Sequence, residues 1–238
     1  MSILVFQHQA TEPAAVLGAV LRDHGHRLRV IELFAGQQVP PDLDDVHGIV
    51  SMGGSPNVDE TAKYPWLEAE MAYIKTAHER GVPIVGICLG AQIIAAALGG
   101  KVAAMASPEV GWGNIKMAFP GTIDPIYVGL HWDSMQVHLH GQEVATLPPG
   151  ATPLSGSKAC KTQAFKVGST TYGFQYHFEW TDADIRNAAH DELVKKAGVN
   201  PETIIQGIAQ HYDGYRRLGN RLCETIALML FPIDMRRD

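Results

Sequence analysis

Hydrophobic and polar positions along the first hundred residues fall into two alternating kinds of segment. Ile3 to Gln7 is a short apolar run that predicts a strand, and a helical pattern starts at Thr11 and Pro13, with apolar positions at Val16, Val20 and Leu21, and stops at Gly25. Arg27 to Leu33 predicts a second strand, the Pro40-Pro41 loop leads on, and His47 to Met52 predicts a third that ends at Gly53-Gly54. Pro65 suits a helix start, Trp66, Ala69, Tyr73 and Ala77 recur on one face, and Gly81 closes that helix before the strand Val82 to Ile87. Strands alternating with helices predict a parallel sheet.

The stretch VPIVGICLGAQIIAAALGG, residues 82 to 100, carries no charge over nearly the length of a membrane span. Pro83, Gly86 and Gly90 would interrupt a helix there, β-branched residues crowd the first third, and helix formers fill the last. It reads as strand, tight turn and buried helix. From about Val102 to Tyr176 the pattern changes to short alternating segments, Val137 to Thr146, Gln163 to Val167 and Thr171 to Tyr176, the last two joined by Gly168-Ser169. These predict antiparallel additions. GFQYHFEW, residues 173 to 180, reads as a buried strand. From Thr181 onward the chain is helical again, with Thr181 and Asn200 as N-caps, Pro201 at a first helical position and a long final segment through Leu230. No repeat, low-complexity tract or Gly/Ser linker interrupts it, so residues 1 to 238 are expected to form one α/β unit.

Composition narrows the class. A chain of 238 residues and 25.8 kDa can bury one substantial core. Nineteen Lys and Arg against 25 Asp and Glu give a net charge of -6, with no basic run longer than Arg236-Arg237, which argues against a nucleic-acid surface. Cys88, Cys160 and Cys223 are too few for a disulfide framework and form no Cys-x-x-Cys pair for zinc, so a reducing cytoplasm is expected. The opening MSILVFQHQATEP has no positive n-region and reads as a first strand, not an export signal.

The chemistry begins at His177 and Glu179. Two apart in an extended segment, they share a face while Tyr176 and Phe178 take the other. A carboxylate beside an imidazole is the orienting half of a nucleophilic triad. GICLG, residues 86 to 90, has the form of a nucleophile elbow with Cys88 at its centre: the glycines leave space around a sharp strand-to-helix turn, and the helix Leu89 to Leu98 aims its first amides at the sulfur, which favours thiolate. The alternative is a small apolar residue buried at a tight turn. The Leu89 amide offers one oxyanion donor, and Gly53-Gly54, ending a neighbouring predicted strand, is either a second donor or an ordinary turn.

MGGS (52 to 55), GICLGAQ (86 to 92) and GFQYHFE (173 to 179) stand in order, with YPWL at 64 to 67, EVGW at 109 to 112 and HG at 140 to 141. In this combination the chain resembles, over nearly its whole length, the class I glutamine amidotransferases of the Cys-His-Glu triad type, and most the free-standing relatives of the glutaminase domain of GMP synthase. The resemblance implies a flavodoxin-like fold: an open, mostly parallel twisted sheet flanked by helices, with antiparallel additions. It also implies that Cys88 attacks the γ-carboxamide of glutamine, His177 serves as general base and acid, and Glu179 orients His177. Gly54 and Leu89 would supply the oxyanion amides, and Gly53, Gln92 and His140 would hold substrate, with no metal or cofactor required. The family usually has proline where this chain has Phe178, which frees the backbone and adds an amide donor, and Ala91 stands where many relatives have histidine.

His138 and His140 share a strand face, with His131 and Asp133 nearby, and spacing of this kind also suggests a metal site. Spacing alone does not establish geometry, so no metal is assigned, and the family likeness gives His140 to the substrate pocket. Cys160 and Cys223 read as inert thiols, and Tyr212, Tyr215 and Phe231 as packing residues. Glu109 beside Trp112 borders either the pocket or an oligomer contact. With no P-loop and no S-G-G-x-D motif in the chain, three readings follow. The protein passes ammonia to a separate synthase subunit, or acts alone on glutamine or γ-glutamyl peptides, or is a degenerate binding module whose sole sequence support is Phe178. The expected ligand is a small molecule, and neither nucleic acid nor membrane is expected as a partner.

Overall fold

The computed structural model describes residues 1–233, so the Arg236-Arg237 pair lies outside the described residues. Among the described residues nine strands form one sheet in the order β2-β1-β3-β4-β9-β8-β7-β5-β6. The first five, β2 (Arg27–Glu32), β1 (Ser2–Gln7), β3 (Gly48–Ser51), β4 (Ile84–Ile87) and β9 (Thr171–Phe174), run parallel. Their order is that of flavodoxin-like sheets. The remaining four, β8 (Ala164–Val167), β7 (Ala151–Gly156), β5 (Lys101–Met117) and β6 (Asp133–Thr146), extend the sheet antiparallel from β9. The predicted class, a parallel α/β sheet with antiparallel additions, is the observed one.

Side-chain alternation in the parallel strands feeds two cores. Ile3 and Val5 of β1 pack on one face under α1 (Ala15–Asp23) and α7 (Pro201–Thr225), while Leu4 and Phe6 pack on the other under α2 (Trp66–Glu79) and α3 (Leu89–Ala97). Both faces covered is the condition under which parallel strands read as apolar runs. The helix starts follow their capping residues: the Asn200 side chain accepts from the Glu202 amide at 3.0 Å ahead of α7, and Thr181 and Asp184 form a reciprocal capping box at α5 (Asp182–Ala188). Asp191 caps α6 (Glu192–Lys196), and Ile226–Leu230 continues α7 as a π-turn through Leu230.

Several boundaries differ from expectation. The first helix begins at Ala15, after the Thr11-Pro13 signal, because Gln9 to Ala14 is spent in a loop at the end of β1 that includes Glu12. In α2 the buried positions are Leu67, Glu70, Tyr73, Ile74 and Ala77, whereas Ala69 is exposed. Glu70 stands on the core face because His8 and Ser51 satisfy its carboxylate. GFQYHFEW is not strand throughout. The β9 ladder ends at Phe174, and the segment beyond bends away, touching β6 through a single bridge between His177 and Val137. The strands β5 and β7 and the one-turn α4 (Phe119–Thr122) were not predicted; β5 is largely exposed or half-buried, so it carries neither an apolar run nor a clean alternation. Among the described residues no helix is long and apolar enough to cross a membrane.

Candidate active site

The carboxyl ends of β1, β3, β4 and β9 meet at one edge of the sheet, where open α/β sheets place their sites. Cys88 follows β4 directly and caps α3 with φ 51° and ψ -107°. A non-glycine residue held at positive φ costs about 1–3 kcal/mol and persists only where its surroundings enforce it. They do so here: the Cys88 amide donates to the Phe174 carbonyl at 2.7 Å and the Gly90 amide to the Met52 carbonyl at 3.0 Å. A β-carbon on Gly90 would overlap the Ser51 carbonyl, and one on Gly86 would overlap Gly90 itself. The glycines of GICLG are required by close approach, and the elbow is present as expected.

His177 lies across the same edge. Its Nδ1 pairs with Glu179 Oε1 at 2.8 Å, both side chains being fully buried, and its ring stacks on Trp180 at 3.6 Å between centroids. Tyr176 and Phe178 point into the core on the opposite side, so the alternation survives although the strand does not. The Phe178 amide donates to Glu179 Oε2 at 2.9 Å. This bond is one that proline at 178 could not make, and it gives each carboxylate oxygen a partner. The departure from the family pattern therefore adds a tether to Glu179. The long helix α7 supports the segment from beneath, with Tyr215 Oη accepting from the Trp180 amide at 3.1 Å and Tyr212 Oη from the Asp182 amide at 3.0 Å.

Burial works against a charge on His177, but Glu179, and to a lesser degree Cys88, outweigh it and hold the imidazole pKa well above its ordinary 6.5. Burial also pushes the Cys88 thiol up, with His177 pulling it back. Among the described residues His177 Nε2 has no hydrogen-bond partner. The Cys88 sulfur instead contacts the Leu139 carbonyl at 3.6 Å and the Gln175 amide nitrogen at 3.8 Å.

A cleft of about 470 Å³ opens above Cys88, lined among others by Gly54, Leu89, Gln92 and His140. Leu89 is the first residue of α3, where amides lack partners within the helix, and a β-carbon on Gly54 would sit 3.2 Å from the Leu89 side chain. The two expected oxyanion residues are thus neighbours. Gln92 donates to the Gln142 carbonyl and to Gln175 Oε1, both at 3.2 Å, linking α3 to the residue beside the sulfur. His140 lines the cleft with both ring nitrogens already directed at protein groups: Nδ1 at the Gln142 carbonyl, 3.0 Å, and Nε2 at Glu109 Oε2, 3.3 Å. Gly53 lies beneath the cleft, against Glu12 and His177.

Two residues that the sequence pattern did not single out belong to this site. Glu12 lines the cleft, buried, with Oε2 unpartnered; burial raises its pKa and His177 draws it down. His8 holds the Gly53-Gly54 loop, Nδ1 meeting the carbonyls of Met52 at 2.9 Å and Gly53 at 3.2 Å, and Nε2 meeting Glu70 at 2.8 Å. Burial opposes its charge, yet Glu70 and those carbonyls raise its pKa. Their signal was position: both follow the end of β1, the strand next to β3 in the sheet.

A family model described as glutamine amidotransferase class-I matches residues 16–193, which span both Cys88 and the His177–Glu179 pair. The chain is 28% identical over 206 residues to the glutamine amidotransferase-like protein YfeJ of Salmonella typhimurium, covering 85% of this chain and 86% of that protein. It is 31% identical over 160 residues to one subunit of the glutamine-hydrolysing GMP synthase of Natronomonas pharaonis, 67% of this chain and 78% of that one. The crystal structure of a glutamine amidotransferase from Thermotoga maritima superposes with a TM-score of 0.84 at 21% identity, over 97% of this chain and 98% of that chain, a likeness of fold. A family model covering most of the chain, and elbow, Gly53-Gly54 loop and His-x-Glu pair converging at one sheet edge, lead to one conclusion: this chain belongs to the class I glutamine amidotransferases.

Proposed function

We propose that the protein hydrolyses the γ-amide of glutamine or of a γ-glutamyl compound through a Cys88 thioester. The observation that carries this reading is Cys88 on its strained elbow, across the sheet edge from a buried His177 tied to Glu179 at 2.8 Å. The thiol proton passes to His177 and the thiolate attacks the γ-carbonyl carbon, forming the C–S bond and an oxyanion that the Leu89 and Gly54 amides receive. His177 returns the proton to the departing nitrogen, the C–N bond breaks, and ammonia or an amine leaves. Water activated by His177 then cleaves the thioester to glutamate. Burial strengthens each of these charge–dipole contacts.

The cleft suits a zwitterionic acyl group. Glu12 offers a buried, unpartnered carboxylate oxygen to an α-ammonium, and Lys196, which also lines the cleft, offers a cation to an α-carboxylate. The space above Cys88 falls in the range of sites that hold molecules larger than one amino acid, which favours a γ-glutamyl amide with a bulkier leaving amine as a second substrate class. Likeness to a GMP synthase subunit favours transfer of ammonia to a separate synthase. The Phe178 amide on Glu179 favours an intact His177–Glu179 pair over a degenerate binding module.

Incubating the purified protein with L-glutamine and with a panel of γ-glutamyl peptides, and measuring glutamate release beside a Cys88→Ala variant, tests the reading. Release that depends on Cys88 is expected, and the preferred substrate separates glutaminase from peptidase. Release that continues in Cys88→Ala would overturn it.

A further inference from the structure

Behind the cleft wall, strands β5 and β6 bring three ligand-bearing side chains together. Glu109 and His140 are directly opposed across the antiparallel ladder, and His138 stands two residues along on the same face. One ligand atom from each lies within 4.8 Å of the others. The rings of His138 and His140 are 5.8 Å apart, and both residues are only 2% exposed.

The hydrogen bonds around these side chains tie their far atoms and leave the near ones facing one another. A carbonyl can only accept, so His140 Nδ1, 3.0 Å from the Gln142 carbonyl, carries its proton there; by the same reasoning His138 Nε2 donates to the Gly113 carbonyl at 3.3 Å. Among the described residues His138 Nδ1 is buried without a hydrogen-bond partner, and His140 Nε2 faces only Glu109 Oε2, 3.3 Å away and too poorly aligned for a hydrogen bond, the carboxylate that would share the ion. Glu109 accepts from Ser157 Oγ on one oxygen and from Gln163 Nε2 on the other, each at 2.6 Å, and keeps its second lone pairs. A β-carbon on Gly113 would lie 2.7 Å from the His138 ring, so glycine there admits the histidine in this orientation. Imidazoles whose far N–H is tied to a carbonyl, next to a carboxylate whose oxygens are both tethered, form the outer shell expected around a metal.

We propose that Glu109, His138 and His140 bind a divalent transition-metal ion, zinc being the reference case. Two imidazoles and a carboxylate suit zinc and its neighbours over magnesium or calcium, which take oxygen ligands. Tetrahedral bonds of about 2.0–2.1 Å put ligand atoms about 3.3 Å apart, so the three groups need to close by no more than about 1.5 Å. The partners differ from those spacing suggested: Glu109 on the facing strand completes the set, whereas His131 is exposed and Asp133 pairs with Asn114 at the far end of β6. Leu139, whose carbonyl meets the Cys88 sulfur, sits between the two histidines, so the ion would brace the strand that walls the nucleophile. The site stands independently of the proposed reaction.

The test uses chelator-stripped full-length protein titrated with zinc chloride by calorimetry, and with cobalt(II) followed by its visible spectrum. One equivalent is expected, with a cobalt spectrum of nitrogen and oxygen ligands lacking thiolate charge transfer, and with binding retained in Cys88→Ala and His131→Ala. His138→Asn and the isosteric Glu109→Gln should each weaken binding by at least about tenfold, given that loss of outer-shell partners alone costs 10- to 100-fold. Should either variant misfold, the parent protein's stoichiometry and cobalt spectrum still decide. No stoichiometric binding by the parent protein, binding abolished by Cys88→Ala, or binding unchanged in folded His138→Asn and Glu109→Gln would each overturn the site.

Discussion

The two halves of the sheet do different work. In the parallel half, β1, β3 and β4 are buried on both faces and held between helix pairs, and this rigid edge presents the strained Cys88 and the Gly53-Gly54 loop. In the antiparallel half, β5 is largely exposed or half-buried and β6 is buried only in part, and β6 furnishes a wall of the cleft: Leu139, His140 and Gln142. His177 and Glu179 sit at the seam, one bridge away from β6. On the proposed mechanism the covalent step falls to the half packed on both faces, and recognition falls partly to the less buried half. Strain at the nucleophile survives only where packing on both faces leaves no way to relax.

Substitutions at the elbow or the seam should accordingly strike turnover, and those in the walls should strike affinity. The largest effect belongs to Cys88→Ala, where glutamate release should fall by at least about 10³-fold with the fold intact by circular dichroism. Glu179→Gln comes next, with kcat down by about 10²-fold or more, since the imidazole loses its orienting acceptor. The same variant bears on pH. In the proposed mechanism the working pair carries one proton between Cys88 and His177, and a second proton stops it; because Glu179 holds the His177 pKa above 6.5, kcat/KM should decline as pH falls through a value above 6.5. Glu179→Gln should move that acid limb downward. An acid limb of the parent enzyme at or below 6.5 would contradict the assignment.

A finer division concerns Phe178. Phe178→Pro removes both the buried ring and the amide that donates to Glu179, whereas Phe178→Leu keeps the amide. If the tether matters, the proline variant should be slower than the leucine variant by about tenfold in kcat, roughly the worth of one hydrogen bond to a charged group. Equal rates would reduce Phe178 to packing. On the recognition side, Glu12→Gln should raise KM for glutamine by about tenfold while kcat stays within about threefold, and should leave unaffected the KM for glutaramate, which lacks the α-ammonium. The smallest effect tests scaffold alone. Thr181→Ala breaks the capping box of α5 and should cost about 1 kcal/mol of stability by denaturant unfolding, with no change in kcat.

Legibility followed burial. The parallel strands and their helices could be read because residues buried on both faces or along one stripe leave a periodic trace, and Thr181, Asn200 and Pro201 announced their helices through capping chemistry. In α2 the apolar periodicity points to a face displaced from the buried one, since Glu70 is a charged residue on a core face and its compensation by His8 comes from another element. For β5, seventeen residues with little burial left no pattern to find.

The sequence by itself determined the sheet class, the elbow, and the shared face of His177 and Glu179, because each depends on local geometry: the steric allowance of glycine, the two-residue alternation, the helix start. Tertiary structure alone decided which polar residues meet. That Glu12 borders the cleft, that His8 holds the Gly53-Gly54 loop, that the Phe178 amide reaches Glu179 and that Glu109 faces two histidines all depend on strand order and register. Those are set by long-range packing over the whole sheet, and no window of sequence contains them.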